Sequence, residues 1–138
     1  MMKPYRKSKI AALVVVLALA AAPAFSGMMD GKVSGMLTGA GGHHAAGKVV
    51  ISKGRSGNPV LFLLDAKIDR VPDGRVHLAK GGDYTVGIEL GKLTEFSGAL
   101  EFPIPAGVNA HDYDSVVIWC HKFNVEIGHA FFKKGMMK

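Results

Sequence analysis

Short apolar runs alternate with clusters of Gly, Pro, Asp and Asn along the chain after residue 26. Such runs, when they are rich in β-branched and aromatic residues, are typical of strands joined by tight turns. No segment after residue 26 shows the 3.6-residue period of an amphipathic helix. The predicted strands are Lys32–Thr38, Lys48–Ser52, Val60–Asp65, Arg75–Lys80, Tyr84–Leu90, Ala99–Ile104, Ser115–His121 and Asn124–Phe132. We therefore expect an all-β domain, an antiparallel β-sandwich or barrel of about seven or eight short strands.

The first 26 residues follow a different pattern. Four basic residues precede the uncharged apolar segment Ile10–Ala22, which is shorter than the roughly 20 residues that a membrane-spanning helix needs. Small residues follow at Ala24 and Ser26, so the three parts of a secretory signal peptide are present in order. We expect cleavage after Ser26, with Ala24 as the alternative site, a periplasmic or secreted mature protein, and membrane contact only transiently, through the signal peptide.

The signal peptide also explains most of the basic charge. The full chain has a formal net charge of +6, but residues 1–26 carry four of its 17 basic residues and none of its 11 acidic residues. The remainder has 13 basic against 11 acidic residues, a net charge of +2. Because basic residues do not alternate with aromatic residues there either, the sequence predicts no nucleic-acid partner.

Cys120 is the single cysteine, so it has no intramolecular disulfide partner. Four interpretations stay open: a redox-active thiol, a ligand to haem iron or copper, a disulfide between two chains, or a small hydrophobic core residue. A second cofactor ligand would come from His43, His77 or His129. Because successive strand residues point to opposite faces, we expect the side chain of His121 to face away from Cys120.

Other candidate residues carry weaker signals. His43 and His44 lie in a turn rich in Gly and Ala, where two imidazoles could bind a metal ion, although such pairs are usually solvated. We expect Trp119 to anchor the core. The chain has neither a Gly-x-Ser-x-Gly nor a Cys-x-x-Cys motif, so the sequence favours an electron-transfer or binding module over a classical enzyme. The cofactor stays open between haem, copper and none.

A distinctive block lies in the last third of the chain. Tyr113 is followed by Ser-Val-Val-Ile-Trp-Cys at Ser115–Cys120, then by Phe123 and Ala130. This arrangement resembles the electron-transfer DM-thirteen domain family, whose members are small extracytoplasmic β-domains. The resemblance covers about residues 35–131. With the signal peptide at 1–26, we therefore expect a loose lead at 27–34, a DM-thirteen-like β-domain at 35–132 and a polar tail at 133–138.

The resemblance implies a redox role for Cys120, as a bare thiol or as the ligand of a prosthetic group. A redox partner protein or a small thiol would then exchange electrons with it. This chain departs from the family pattern at His77, where an aromatic residue is more usual, and at Glu126–His129, which replaces a more apolar ending. The alternative function is an envelope binding or structural module in which Cys120 is only a core residue.

Overall fold

A computed structural model describes residues 33–133 of the chain, and the expected signal peptide lies outside these residues. Within them, no helix is long and apolar enough to cross a membrane. The strands are β1 (Val33–Gly39), β2 (Ala45–Lys53), β3 (Pro59–Ile68), β4 (Gly74–Lys80), β5 (Asp83–Lys92), β6 (Ser97–Pro103), β7 (Ser115–Cys120) and β8 (Val125–Phe131), and a 3-10 turn lies at Ala110–Asp112. The prediction of an all-β domain is confirmed.

All eight strands belong to one antiparallel sheet with the order β5-β4-β7-β8-β1-β2-β3-β6. The sheet curls into a half-barrel rather than dividing into the two sheets of a sandwich. The edge strands β5 and β6 approach each other, and the Phe102 ring lies 3.3 Å from the position that a Cβ on Gly91 would take. The concave side of the curl therefore encloses the hydrophobic core.

Two strands are longer than predicted because residues that indicate strand ends lie in β-bulges. In β2, Gly47 has a φ of 141° at a shift in register, so the strand begins at Ala45. In β3, Asp65 has a φ of 52° at a second shift, and the strand continues to Ile68. A bulge adds one residue and bends the strand without ending it, which suits a curled sheet.

Strand alternation divides the residues of β7 between two faces. Val116, Ile118 and Cys120 belong to the core cluster, whereas Trp119 does not. The largest fully buried side chains of the molecule include Leu61, Leu63, Leu78, Ile118 and Ile127. Cys120 thus lies among aliphatic side chains, and the other face of β7 carries different chemistry.

The two ends of the described chain are paired with each other. The backbone N–H of Lys133 donates to the carbonyl oxygen of Ser34 at 2.8 Å. β1 already begins at Val33, inside the segment predicted as a lead, and Lys133 belongs to the segment predicted as a tail. The rest of the predicted tail, residues 134–138, lies outside the described residues.

Candidate functional site

Cys120 is the last residue of β7, and its side chain is fully buried. Its thiol is free, and it belongs to the hydrophobic core cluster. Gly74 of β4 and Val125 of β8 lie opposite it in the sheet. The sulfur is therefore enclosed by the domain, and a second protein cannot reach it without local opening of the fold.

The predicted histidine ligands do not converge on Cys120. His77 and His129 both pair with Val117, from opposite sides of β7, so all three residues share one face of the sheet. Cys120 is three positions after Val117 and faces the core instead. His129 is engaged elsewhere, since its Nδ1 lies 2.6 Å from Glu126 Oε2. Sequence alone could not exclude this convergence because the strand order was unknown.

His43 and His44, predicted as a possible pair of metal ligands, both contact the carboxylate of Asp69. His43 Nδ1 lies 3.7 Å from Asp69 Oδ2, and the backbone N–H of His44 donates to the same oxygen at 2.9 Å. The side chain of His44 is exposed. The structure thus brings one imidazole and one carboxylate together here, at a partly exposed turn and not in the core that encloses Cys120.

A cluster of rings covers the face of the sheet opposite Cys120. We call it the aromatic face, formed by His77, Tyr84, Trp119 and His121. Tyr84 stacks on Trp119 with ring centroids 4.3 Å apart, and His77 stacks on His121 with centroids 5.5 Å apart. The Tyr84 and His77 rings are 5.1 Å apart and join the two stacks.

The expectation that Trp119 anchors the core is wrong, because its side chain is half-buried on the aromatic face and does not belong to the core cluster. His121 faces away from Cys120, as predicted.

Three side chains at this face have the spacing of metal ligands. One ligand atom each from His77, Glu89 and His121 lies within 4.8 Å of the other two. β4 supplies His77, β5 supplies Glu89, and His121 begins the turn after β7. A register shift between Val76 and His77 places Glu89 directly opposite His77. This group was missed from the sequence because the strand pairing and its bulge create it.

The electrostatics of this group differ between its members. Burial lowers the pKa of His77 below its ordinary value; Glu89 opposes this shift, and the charge of His121 adds to it. Glu89 is ion-paired, since Arg75 Nη1–H donates to its two carboxylate oxygens at 3.2 and 3.4 Å. Burial therefore favours the neutral imidazole of His77, the form that leaves a lone pair on one ring nitrogen.

A prosthetic group held by Cys120 does not fit this arrangement. A haem iron needs open space on the sulfur side of its ligand, but the sulfur of Cys120 faces packed aliphatic side chains. Of the histidines proposed as its partner ligands, His77 and His129 lie on the opposite face and His43 lies in a partly exposed turn. We therefore derive no step through a haem at Cys120.

The fold and this face define a small all-β domain whose chemistry is concentrated at the end of β7. The family described as Electron transfer DM13 matches residues 38–132, and the chain belongs to this family. The resemblance seen in the Trp-Cys block is thereby confirmed. No curated protein and no solved structure matches the chain.

Proposed function

We propose that this protein is an exported electron-transfer domain that exchanges single electrons with a partner at its aromatic face. One observation carries the proposal: a member of an electron-transfer family stacks Tyr84 on Trp119, the residue that precedes its lone cysteine in the chain. Contacting rings offer delocalised electrons and a short path between the surface and the interior. Both rings are half-buried, so a partner protein can touch them while the protein keeps their orientation fixed.

Two groups at this end of β7 are candidates to hold the electron. The first is the thiol of Cys120, to which the family resemblance assigns the redox role. The second is the ligand set of His77, Glu89 and His121. Full burial of Cys120 argues against exchange with a small thiol, because thiol–disulfide exchange requires contact between two sulfur atoms. It favours electron passage at the aromatic face over sulfur chemistry with a partner.

Export is the second part of the proposal and rests on the first 26 residues. Their basic start, short apolar segment and small residues before Gly27 fit a cleaved signal peptide. Expression of the full chain in a bacterium and intact-mass measurement of the periplasmic protein tests this part. We expect the mass of a chain that begins at Gly27; a cytoplasmic protein that keeps Met1 would contradict export.

Voltammetry of the periplasmic protein tests electron transfer, with and without added copper. We expect a reversible one-electron response that weakens in Trp119→Phe and Tyr84→Phe, because both changes alter the ring path. Phe62→Leu, at a half-buried position on β3, is the control that should leave the response unchanged. Absence of a response from the wild-type protein in both conditions would overturn the proposed function.

The second candidate function is an envelope binding or structural module. The specific observation that favours it is the position of Cys120 in the aliphatic core, where a cysteine can act as a small hydrophobic residue. Under this alternative, Cys120→Ala lowers stability and changes no redox property. A redox response lost in Cys120→Ala, while the variant keeps its fold, would exclude it.

A further inference from the structure

We propose that His77, Glu89 and His121 bind a divalent transition-metal ion, and that Cu²⁺ is the ion they bind most tightly. This site is distinct from Cys120, which faces the core on the other side of the sheet. Binding of the ion stands on its own geometry. Only its role as the electron carrier rests on the proposed function.

The geometry of the three donors is close to that of a metal site. Imidazole nitrogens and carboxylate oxygens bind such ions at about 2 Å, so two ligands of one ion lie at most about 4 Å apart. The three donor atoms of His77, Glu89 and His121 already lie within 4.8 Å of one another. Small rotations of the two exposed side chains, Glu89 and His121, suffice to close the remaining gap around His77.

An independent observation at His77 also points to a ligand. Its side chain is only 4% exposed, and its buried Nδ1 has no hydrogen-bond partner in the structure. Buried polar atoms in proteins are almost always paired, and an unpaired one needs an explanation. A metal ion bound at Nδ1 of this imidazole supplies the missing interaction.

The surroundings supply the outer contacts that metal ligands need. Arg75 donates to both oxygens of Glu89 and also, through Nε–H, to Asp73 Oδ1 at 2.8 Å. Such contacts orient a ligating carboxylate and keep it ionised. Asp73 and Glu89 balance the charges of Arg75 and of Lys92, whose Nζ lies 3.8 Å from Asp73 Oδ1, so these four groups leave no net positive charge to exclude a cation.

The donor set selects the class of ion. Two imidazoles and one carboxylate, partly open to water, suit first-row divalent ions and not Ca²⁺ or Mg²⁺, which prefer oxygen ligands. At a given site of this kind Cu²⁺ binds most tightly of the series. In the redox role, bound Cu²⁺ accepts one electron from a one-electron donor to give Cu⁺ and passes it to an acceptor. No bond to the protein forms or breaks in this cycle beyond adjustment of the ligands.

Trp119 provides a direct readout of binding, because it is the only tryptophan in the chain. Its ring stacks on Tyr84, whose ring lies 5.1 Å from His77 and 5.9 Å from His121. A paramagnetic Cu²⁺ at the site therefore quenches Trp119 fluorescence. Untagged protein is titrated with CuSO₄ at pH 7.5, and the bound Cu²⁺ is examined by electron paramagnetic resonance for coupling to two imidazole nitrogens.

We expect saturable quenching at one Cu²⁺ per chain for the wild-type protein. His77→Phe keeps a ring in the buried position, and His121→Ala changes an exposed residue; each should weaken Cu²⁺ binding at least about tenfold. His111→Ala, an exposed histidine on the 3-10 turn, is the matched control and should bind like the wild type.

Equal quenching in wild type, His77→Phe and His121→Ala would overturn the site, as would absence of quenching in the wild type. Circular dichroism of each variant confirms that it is folded, and His121→Ala keeps the test valid if His77→Phe is not. Failure of the two proposals is distinguishable. A voltammetric response from a protein that binds no Cu²⁺ would support the proposed function and exclude the metal site. Cu²⁺ binding by a protein with no voltammetric response would support the metal site and exclude the proposed function.

Discussion

Trp119, Cys120 and His121 are consecutive in the chain, yet the pleat of β7 and the turn after it give them different surroundings. Cys120 is sealed in the core, Trp119 stacks on Tyr84 across the sheet, and His121 stacks on His77. The residue to which the family resemblance assigns redox chemistry is thus the least accessible of the three. Its neighbours are the residues that a partner or an ion can reach.

The burial of Cys120 makes a prediction about its reactivity. Because the thiol is fully enclosed, a thiol reagent such as Ellman's reagent should label the folded protein only as fast as the core opens. We expect less than one tenth of the chains to react in minutes at pH 8 in buffer, and complete reaction in 6 M guanidinium chloride. Ser56→Cys in the Cys120→Ala background, at an exposed turn, is the control and should react at once. Rapid stoichiometric labelling of native Cys120 would contradict the burial and revive exchange with a small thiol.

At the scale of elements, the β4–β5 hairpin assembles most of the site. It supplies His77, Tyr84 and Glu89, and a register shift on β4 aligns Glu89 with His77. The first residues of β5 are held by Asp83, whose Oδ1 accepts from Thr85 Oγ1–H at 2.6 Å and from the Thr85 backbone N–H at 2.9 Å. These contacts hold the start of β5, where Tyr84 lies between the two bonded residues.

The Asp83–Thr85 contact predicts a measurable titration. The hydroxyl of Thr85, followed by its backbone N–H, lowers the pKa of Asp83 below the ordinary value of 3.8. The carboxylate form is the favoured one, so its stabilising effect is full above about pH 3.8 and is lost as the pH falls through the lower folded pKa. Thr85→Val should raise the pKa of Asp83 only part of the way, because the backbone donor remains. An NMR titration of the Asp83 carboxyl carbon measures this pKa, and Thr94→Val is the control. An unchanged titration midpoint in Thr85→Val would show that the Thr85 hydroxyl does not lower the pKa of Asp83.

The sequence predicts the strands, but it does not predict the bulges within them or the contacts between them. All eight strands were predictable, because β-branched runs and turn residues mark them locally. The bulges at Gly47 and Asp65 were not, since both residues are equally typical of strand ends. The ligand group was unpredictable for a related reason: His77 and Glu89 meet only through a shifted register. His121 joins them only because β4 lies beside β7, which no local pattern indicates.

At the scale of the molecule, the sheet consists of two four-stranded halves. One half, β5-β4-β7-β8, carries the aromatic face, and the other is β1-β2-β3-β6. They meet at a short seam between β1 and β8, where Thr38 pairs with His129 and Gly39 with Gly128. Because the other neighbouring strands share longer ladders, this seam limits how firmly the half that bears the site is held.

Close packing at the seam gives a test of whether the halves unfold together. A Cβ on Gly35 of β1 would overlap the carbonyl oxygen of Phe131 in β8 and lie 3.0 Å from its carbonyl carbon. Both contacts are with backbone, which cannot rotate away, so Gly35→Ala must push β1 from β8. We expect it to lower the free energy of unfolding by about 1–3 kcal/mol in urea. Met36→Ala, at the next residue and 60% exposed, should change it by less than about 0.5 kcal/mol.

Circular dichroism reports the unfolding of both halves of the sheet, whereas Trp119 fluorescence reports only the half that contains Trp119. Coincident transitions in the wild type and a joint shift in Gly35→Ala would make the seam part of one cooperative unit. A Trp119 transition that stays in place while the circular dichroism transition moves would instead mean that the half bearing the site is stable without its neighbour.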